Sequence, residues 1–313
     1  MNIANCSVEA SVWRWRTWAL GVELTTCVLG AVGCVIGFCC LRACEKIKVG
    51  MKIQISLIFT VSFIVCTVAL PGYAIADYWT ICWQIKGTSV LAFLIFYSVS
   101  VNIVRNYFTV LAIYRFLAVC FPIRYQQFSQ RRVVTGIVVT VTVCIVLAWS
   151  TLYIIQDYSN VDVNNRSSYY LGRILFYFSL VIPFTVTVIA YFALALFVIY
   201  RKLFITQPQG IHRRDQIAES VSILILMNLL LDVPHITVHL SDTSSNDVSY
   251  IIVHMIYHLR FVFDSFLFVC LNKRYRLMVL RYVSSKLLRR ELADITFSDT
   301  PSVPSAGSVG PVR

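Results

Sequence analysis

The stretch WALGVELTTCVLGAVGCVIGFCCL, Trp18–Leu41, carries a single charge, Glu23, and runs directly into Arg42, Lys46, Lys48 and Lys52. A helix needs roughly 20 mostly apolar residues to cross the hydrocarbon core of a bilayer. Working outward, six more such runs follow: Ile53–Tyr78, Gly87–Val119, Val133–Ile155, Leu171–Tyr200, Gln216–Leu240 and Val248–Leu271. Pro71, Pro183 and Pro234 fall inside them, which a membrane helix tolerates when neighbours satisfy the freed carbonyl. The composition agrees. Of 313 residues 58% are hydrophobic and 13% charged, with a mean hydropathy of +0.74. Average soluble domains carry about 25% charged residues, so an ordinary soluble enzyme is excluded, as is a largely disordered chain. The expected fold is all-α, a seven-transmembrane-helix bundle.

A net charge of +12 raises the question of nucleic acid, and the positions of the charges answer it. Arg42, Lys46, Lys48 and Lys52 fill the first connection, and Arg124, Arg131 and Arg132 the third. Arg201, Lys202, Arg213 and Arg214 fill the fifth, and a run from Lys273 to Arg290 opens the C-terminal tail. Basic residues therefore mark alternate connections. They orient the chain with its N-terminus outside and its tail in the cytosol, and imply no nucleic-acid partner. The sequons Asn5-Cys6-Ser7 and Asn165-Arg166-Ser167 both fall on the predicted outside, making Asn5 and Asn165 candidate glycosylation sites. The first run is too long for a cleaved signal peptide and reads as a signal anchor. The expected organisation is an extracellular N-terminus at 1–17, a seven-helix domain at 18–271, an amphipathic helix at 272–290 and a disordered cytoplasmic tail at 291–313.

The third run ends Leu111-Ala-Ile-Tyr-Arg-Phe-Leu-Ala-Val-Cys-Phe-Pro-Ile-Arg-Tyr125. This resembles the rhodopsin-like G-protein-coupled receptors, whose signature there is an acid-Arg-Tyr triplet followed by a proline-containing loop. Arg115 matches the signature arginine and Pro122 the loop proline. Pro183 with Tyr191, Pro234, and Asp264-Ser-Phe-Leu-Phe268 match the family's features in spans five, six and seven, and Tyr275-Arg276 resembles the start of its short eighth helix. The resemblance covers roughly Trp18 to Tyr282. It departs at Tyr114, which replaces the acid, at Asp232, which stands where tryptophan is usual, at Ser265, which replaces proline, and at Phe268, which replaces tyrosine. The family's disulfide to the second outer loop is absent, because Val90 occupies one of its positions and Gln156–Tyr170 holds no cysteine. Cys6 and Cys82 are the two cysteines expected on the oxidising side, and their pairing is expected.

The resemblance implies a plasma-membrane receptor, multi-pass, that passes an extracellular peptide or small-molecule signal to a heterotrimeric G protein. Arrestin and receptor kinases would act at tail residues such as Ser298, Thr300 and Ser302. Arg115, Tyr191 and Phe268 would serve coupling. With Tyr114 in place of the restraining acid, raised basal activity is expected unless Asp215 or Glu219 substitutes. Rival readings are a decoy or scaffold of the same fold that does not couple, and a transporter. Enzyme signatures are missing, and no cofactor is implied.

Ionisable groups inside spans are costly and default to functional hypotheses. Arg105 lies ten residues before Arg115, about 15 Å along a helix. The resemblance places it against spans five and six, and an Arg105–Asp232 ion pair is expected, with Asn228 adding a hydrogen bond. Arg105, Pro183, Asn228, Asp232 and Asp264 together form a candidate intramembrane switch, or a purely structural lock. Arg260 and Asp264 are four apart and could pair within their helix.

His235 and His239, and His254 and His258, form two i,i+4 pairs, each on one helix face. Ligand contact, ordinary hydrogen bonding and zinc are the readings open to them, and no metal site is assigned. Tyr97, Asn102 and Tyr177 join these histidines as candidate ligand contacts, with helix packing as the alternative. His258 stands where opsins carry their lysine, and Tyr97 where amine receptors carry an aspartate, so the resemblance argues against retinal and biogenic amines. Trp13, Trp15, Trp18, Tyr78, Trp79 and Trp83 read as an interfacial belt.

Overall fold

The computed structural model describes residues 10–43, 47, 49–83, 88–158, 173–204, 216–241, 243–244, 247–271, 276–277 and 279–280. Its helices are α1 (Ala10–Ala43), α2 (Val49–Ile64), α3 (Leu70–Trp83), α4 (Thr88–Cys120), α5 (Pro122–Phe128), α6 (Arg131–Tyr158), α7 (Ile182–Phe204), α8 (Gln216–Leu240), α9 (Val248–His258) and α10 (Arg260–Leu271). Together they provide seven helices long and apolar enough to cross a membrane, the architecture of a multi-pass membrane protein. The second span joins α2 to α3, and the seventh joins α9 to α10 across Leu259. The first helix begins at Ala10 rather than at the expected Trp18.

The third span, α4, is the pillar. It touches the second, fourth, fifth and sixth spans, while the first span packs against the second and the seventh. Burial follows this position. In the third span 61% of the apolar window is buried, against 17% in the fourth. The fourth turns Val139, Val143, Val146 and Leu147 outward, and the fifth turns Ile189, Phe192 and Leu196 outward. Apolar surface on that scale needs lipid beside it. Trp13, Trp15, Trp18 and Trp79 are also exposed.

Two of the three span prolines are accommodated in the same way. Proline has no N–H, and its ring presses on the carbonyl four residues back. A π-helical turn, Val65–Ala69, precedes Leu70-Pro71, and another, Tyr177–Val181, precedes Ile182-Pro183. In each the wider i→i+5 hydrogen bond closes just before the proline, Leu70 N–H to Val65 O and Ile182 N–H to Tyr177 O. The Ser179 carbonyl, four residues before Pro183, accepts a hydrogen bond from Asn106 Nδ2 of the third span (3.3 Å). Thr109 and Thr187 donate to the Pro183 carbonyl at 3.2 and 2.8 Å. Pro183 thus ties the fifth span to the third.

Glycine sets the spacing of the first span against its neighbours. A Cβ at Gly33 would collide with the Ser265 side chain of the seventh span, and one at Gly30 would lie 2.6 Å from Cys66 Sγ of the second. Small residues at such contacts let membrane helices approach closely.

Candidate functional site

Four charges meet inside the bundle. Arg105 presents its guanidinium fork to Asp232, Nη2 to Oδ1 at 2.7 Å and Nε to Oδ2 at 3.3 Å, the two-pronged geometry that suits arginine and carboxylate. Arg260 Nη1 donates to the same Asp232 Oδ1 at 3.1 Å. The Tyr257 hydroxyl lies 2.8 Å from both arginines and accepts from each. All four side chains are buried, Arg260 and Tyr257 to within 1% of complete exclusion. The seventh span supplies two of them because it is interrupted. Leu259 N bonds back to the Ile256 carbonyl and Val262 N to the Leu259 carbonyl, three residues apart rather than four. That tighter turn sits between Tyr257 and Arg260, whose side chains meet each other beside Arg105.

The pair expected between Arg105 and Asp232 is formed, but its surroundings differ from expectation. Asn228 bonds neither member of it. Its Nδ2 donates to Asp264 Oδ1 at 2.5 Å and to the Leu224 carbonyl at 3.0 Å. Arg260 and Asp264 stand 4.0 Å apart, and Arg260 lies nearer Asp232. The formal charges of Arg105, Arg260, Asp232 and Asp264 cancel. Cancellation is the physical reason for the cluster, since an unpaired charge at this depth costs several kcal/mol, on the order of 3–5.

Toward the end of the bundle that carries Ser241 and Asp247, a second network joins spans one, three and seven. His258 is fully buried, with Nε2 2.6 Å from the Tyr97 hydroxyl and Nδ1 2.8 Å from Glu23 Oε1. Tyr73 stacks on Tyr97, with centroids 4.6 Å apart. Arg16 pairs with Asp77 nearby. A cleft lined by Arg16, Glu23, Tyr73, Asp77, Tyr250 and His254 reaches this region. His258 and Tyr97 therefore hold each other inside the fold, whereas His254 lines the cleft.

The other histidines form a group of their own. His239 Nε2 lies 3.2 Å from His254 Nε2, and the His235 ring lies 4.7 and 4.9 Å from those two. Tyr177 does not join them. It is 44% exposed on the outer surface of the fifth span, and its neighbour Phe176 faces His239 instead. The π-helical turn at Tyr177–Val181 rotates the span's face at this point, which α-helical periodicity does not anticipate. Asn102 donates to the Ser98 carbonyl of its own helix (2.8 Å).

At the opposite end Arg115 is buried, with Nη2 donating to Ser222 Oγ of the sixth span at 3.3 Å. Tyr114 turns away from it and donates to the Phe128 carbonyl at 2.9 Å, fastening the third span to α5. Tyr191 packs against the central core, and Phe268 is buried edge-on against Phe59 at 5.3 Å. Asn5, Asn165, Cys6, Asp215, the side chains of Cys82 and Glu219, most of 272–290 and all of 291–313 lie outside the described residues.

Sequence reasoning missed Tyr257 and the partners of Glu23. Both had a signal. Tyr257 lies three residues before Arg260, on its face, and Glu23 is the sole charge of the first span. No family model matches the chain, and no curated protein matches it.

Proposed function

We propose that the chain is a rhodopsin-like receptor of the plasma membrane, with its N-terminus outside, that transduces an extracellular peptide or small molecule to a cytosolic heterotrimeric G protein. The observation that carries this reading is Arg115, buried at the basic end of a seven-span bundle and hydrogen-bonded across to the sixth span at Ser222. Coupling in such receptors uses the opening between spans three and six, which this contact bridges. The charge cluster at Asp232 joins the same two spans nearer the opposite end. A ligand in the cleft beside Tyr250 and His254 would lie one helical turn from it along the seventh span.

The test is basal signalling across G-protein classes in transfected cells, with Arg115→Ala at matched surface density. Ligand-independent signal that disappears in the variant supports coupling. Silence of the wild-type chain at normal surface density favours a decoy of the same fold, a reading supported by Tyr114, which is engaged with Phe128 rather than with Arg115.

A further inference from the structure

We propose that His235, His239 and His254 form a binding site for one divalent transition-metal ion of the zinc class, at the end of the bundle that carries Ser241 and Asp247. Each offers one ring nitrogen, and the three lie within 4.8 Å of one another. Three imidazoles with a fourth position left open is a recurrent zinc arrangement, with nitrogen about 2.0–2.1 Å from the metal. Tetrahedral angles at that distance separate ligand nitrogens by about 3.3 Å. His239 and His254 already stand 3.2 Å apart, Nε2 to Nε2.

The proton on His254 is placed for this role. Its Nδ1 lies 2.9 Å from the Tyr250 carbonyl. A carbonyl only accepts, so Nδ1 carries the hydrogen and Nε2 keeps its lone pair toward His239. A ring N–H donated to a backbone carbonyl is the usual support behind a metal-bound histidine. The rings are also held in plane, His254 against Tyr250 and His235 against Tyr257, each with centroids 3.9 Å apart. His235 is about nine-tenths buried, and its Nδ1 has no hydrogen-bond partner among the described residues. An unpartnered ring nitrogen is costly in a packed interior, and this ring makes no competing hydrogen bond through it. His258, the fourth member of the two i,i+4 pairs, is taken up by Tyr97 and Glu23, so the site is a three-histidine site. His239 is half-buried and sits one residue from the end of the sixth span, and His254 lines the cleft, which together give an ion a way in.

The experiment uses the full chain purified in detergent, stripped with chelator, and titrated with Zn²⁺ by calorimetry and with Co²⁺ by visible absorption. The expected result is one ion per chain and the intense visible bands of tetrahedral cobalt. His239→Ala should weaken binding by more than about 10-fold, the lower range seen even for supporting residues. His239→Cys should keep binding and add a thiolate-to-cobalt band. Equal binding by wild type and His239→Ala, or a pale six-coordinate cobalt spectrum, overturns the proposal. His239 is half-buried and makes no ion pair among the described residues, and its hydrogen bond to His254 is lost in both variants, so binding kept by His239→Cys but not by His239→Ala reports on the ion rather than on the fold. No signalling readout is involved, so the result stands apart from receptor coupling.

Discussion

Spans six and seven build two polar groups within about two helical turns of each other, and the two obey different rules. Around Asp232 the members are arginines and aspartates, whose charges must be matched inside the bundle, and the arginine–Asp232 contacts are short. Around His254 the members are imidazoles, which offer a lone pair as readily as an N–H. Both groups keep buried atoms without a hydrogen-bond partner among the described residues, His235 Nδ1 in one and Arg260 Nε and Nη2 and Asp264 Oδ2 in the other. The charge cluster balances its charges within the fold, whereas the histidine group keeps ring nitrogens that something from outside can take up.

Breaking the first group should cost the most. Asp232→Ala strands Arg105 and Arg260, and the expected loss is about 3–5 kcal/mol, read as failure of the detergent-solubilised protein to stay monodisperse or as a large drop in unfolding temperature. Asp232→Asn keeps the shape and separates the roles. Altered basal signalling at preserved surface density identifies a switch, whereas loss of surface density alone identifies a lock between spans three and six.

Gly33→Leu acts at a distance from both groups. It forces the first span away from Ser265, and overpacking of this kind costs about 1–3 kcal/mol. Glu23 rides on that span, so its contact with His258 should loosen as well. A fall in unfolding temperature is expected, together with faster hydrogen exchange in spans one and seven. Unchanged exchange there would show that the two spans tolerate a wider separation.

Tyr257→Phe should cost less, about 1–2 kcal/mol, because it removes an acceptor shared by two arginines while the ring remains packed. Hydrogen bonds between membrane helices average nearer 0.6 kcal/mol in double-mutant measurements. A thermal-shift difference between Tyr257→Phe and wild type that vanishes in an Asp232→Asn background would show that the hydroxyl acts through the charge cluster.

These contrasts explain how far the sequence could be read. Seven spans were legible because apolar length and alternating basic connections are local signals, and they return at Gln216–Leu240 and Val248–Leu271 with the same limits. Arg105–Asp232 was legible because a charge at mid-span requires a partner, and the resemblance sets Arg105 against the sixth span, where Asp232 lies. Asn228 was not, since an amide is satisfied equally by either of two buried carboxylates, and only packing chose Asp264. Tyr177 stands apart from the histidines for a different reason, a π-helical turn that shifts the face of the residues beside it. Glu23 found His258 because Gly33 lets spans one and seven approach closely, a tertiary fact that no single span records.

The smallest expected effect sharpens the comparison most. In chelator-treated protein His239→Ala should cost about 0.5–1.5 kcal/mol, the net worth of its lost hydrogen bond to His254. With Zn²⁺ at a hundred times its dissociation constant, the wild-type chain gains about 2.7 kcal/mol by mass action, and the variant should gain almost none of it. Unfolding temperatures of both proteins, with and without the ion, therefore give a difference that widens when metal is present. Asp232→Ala should show the opposite behaviour, a large loss that zinc does not create. If instead His239→Ala is as damaging without metal as with it, the histidines are closed by the fold in the same way as the arginines, and the distinction between the two groups disappears.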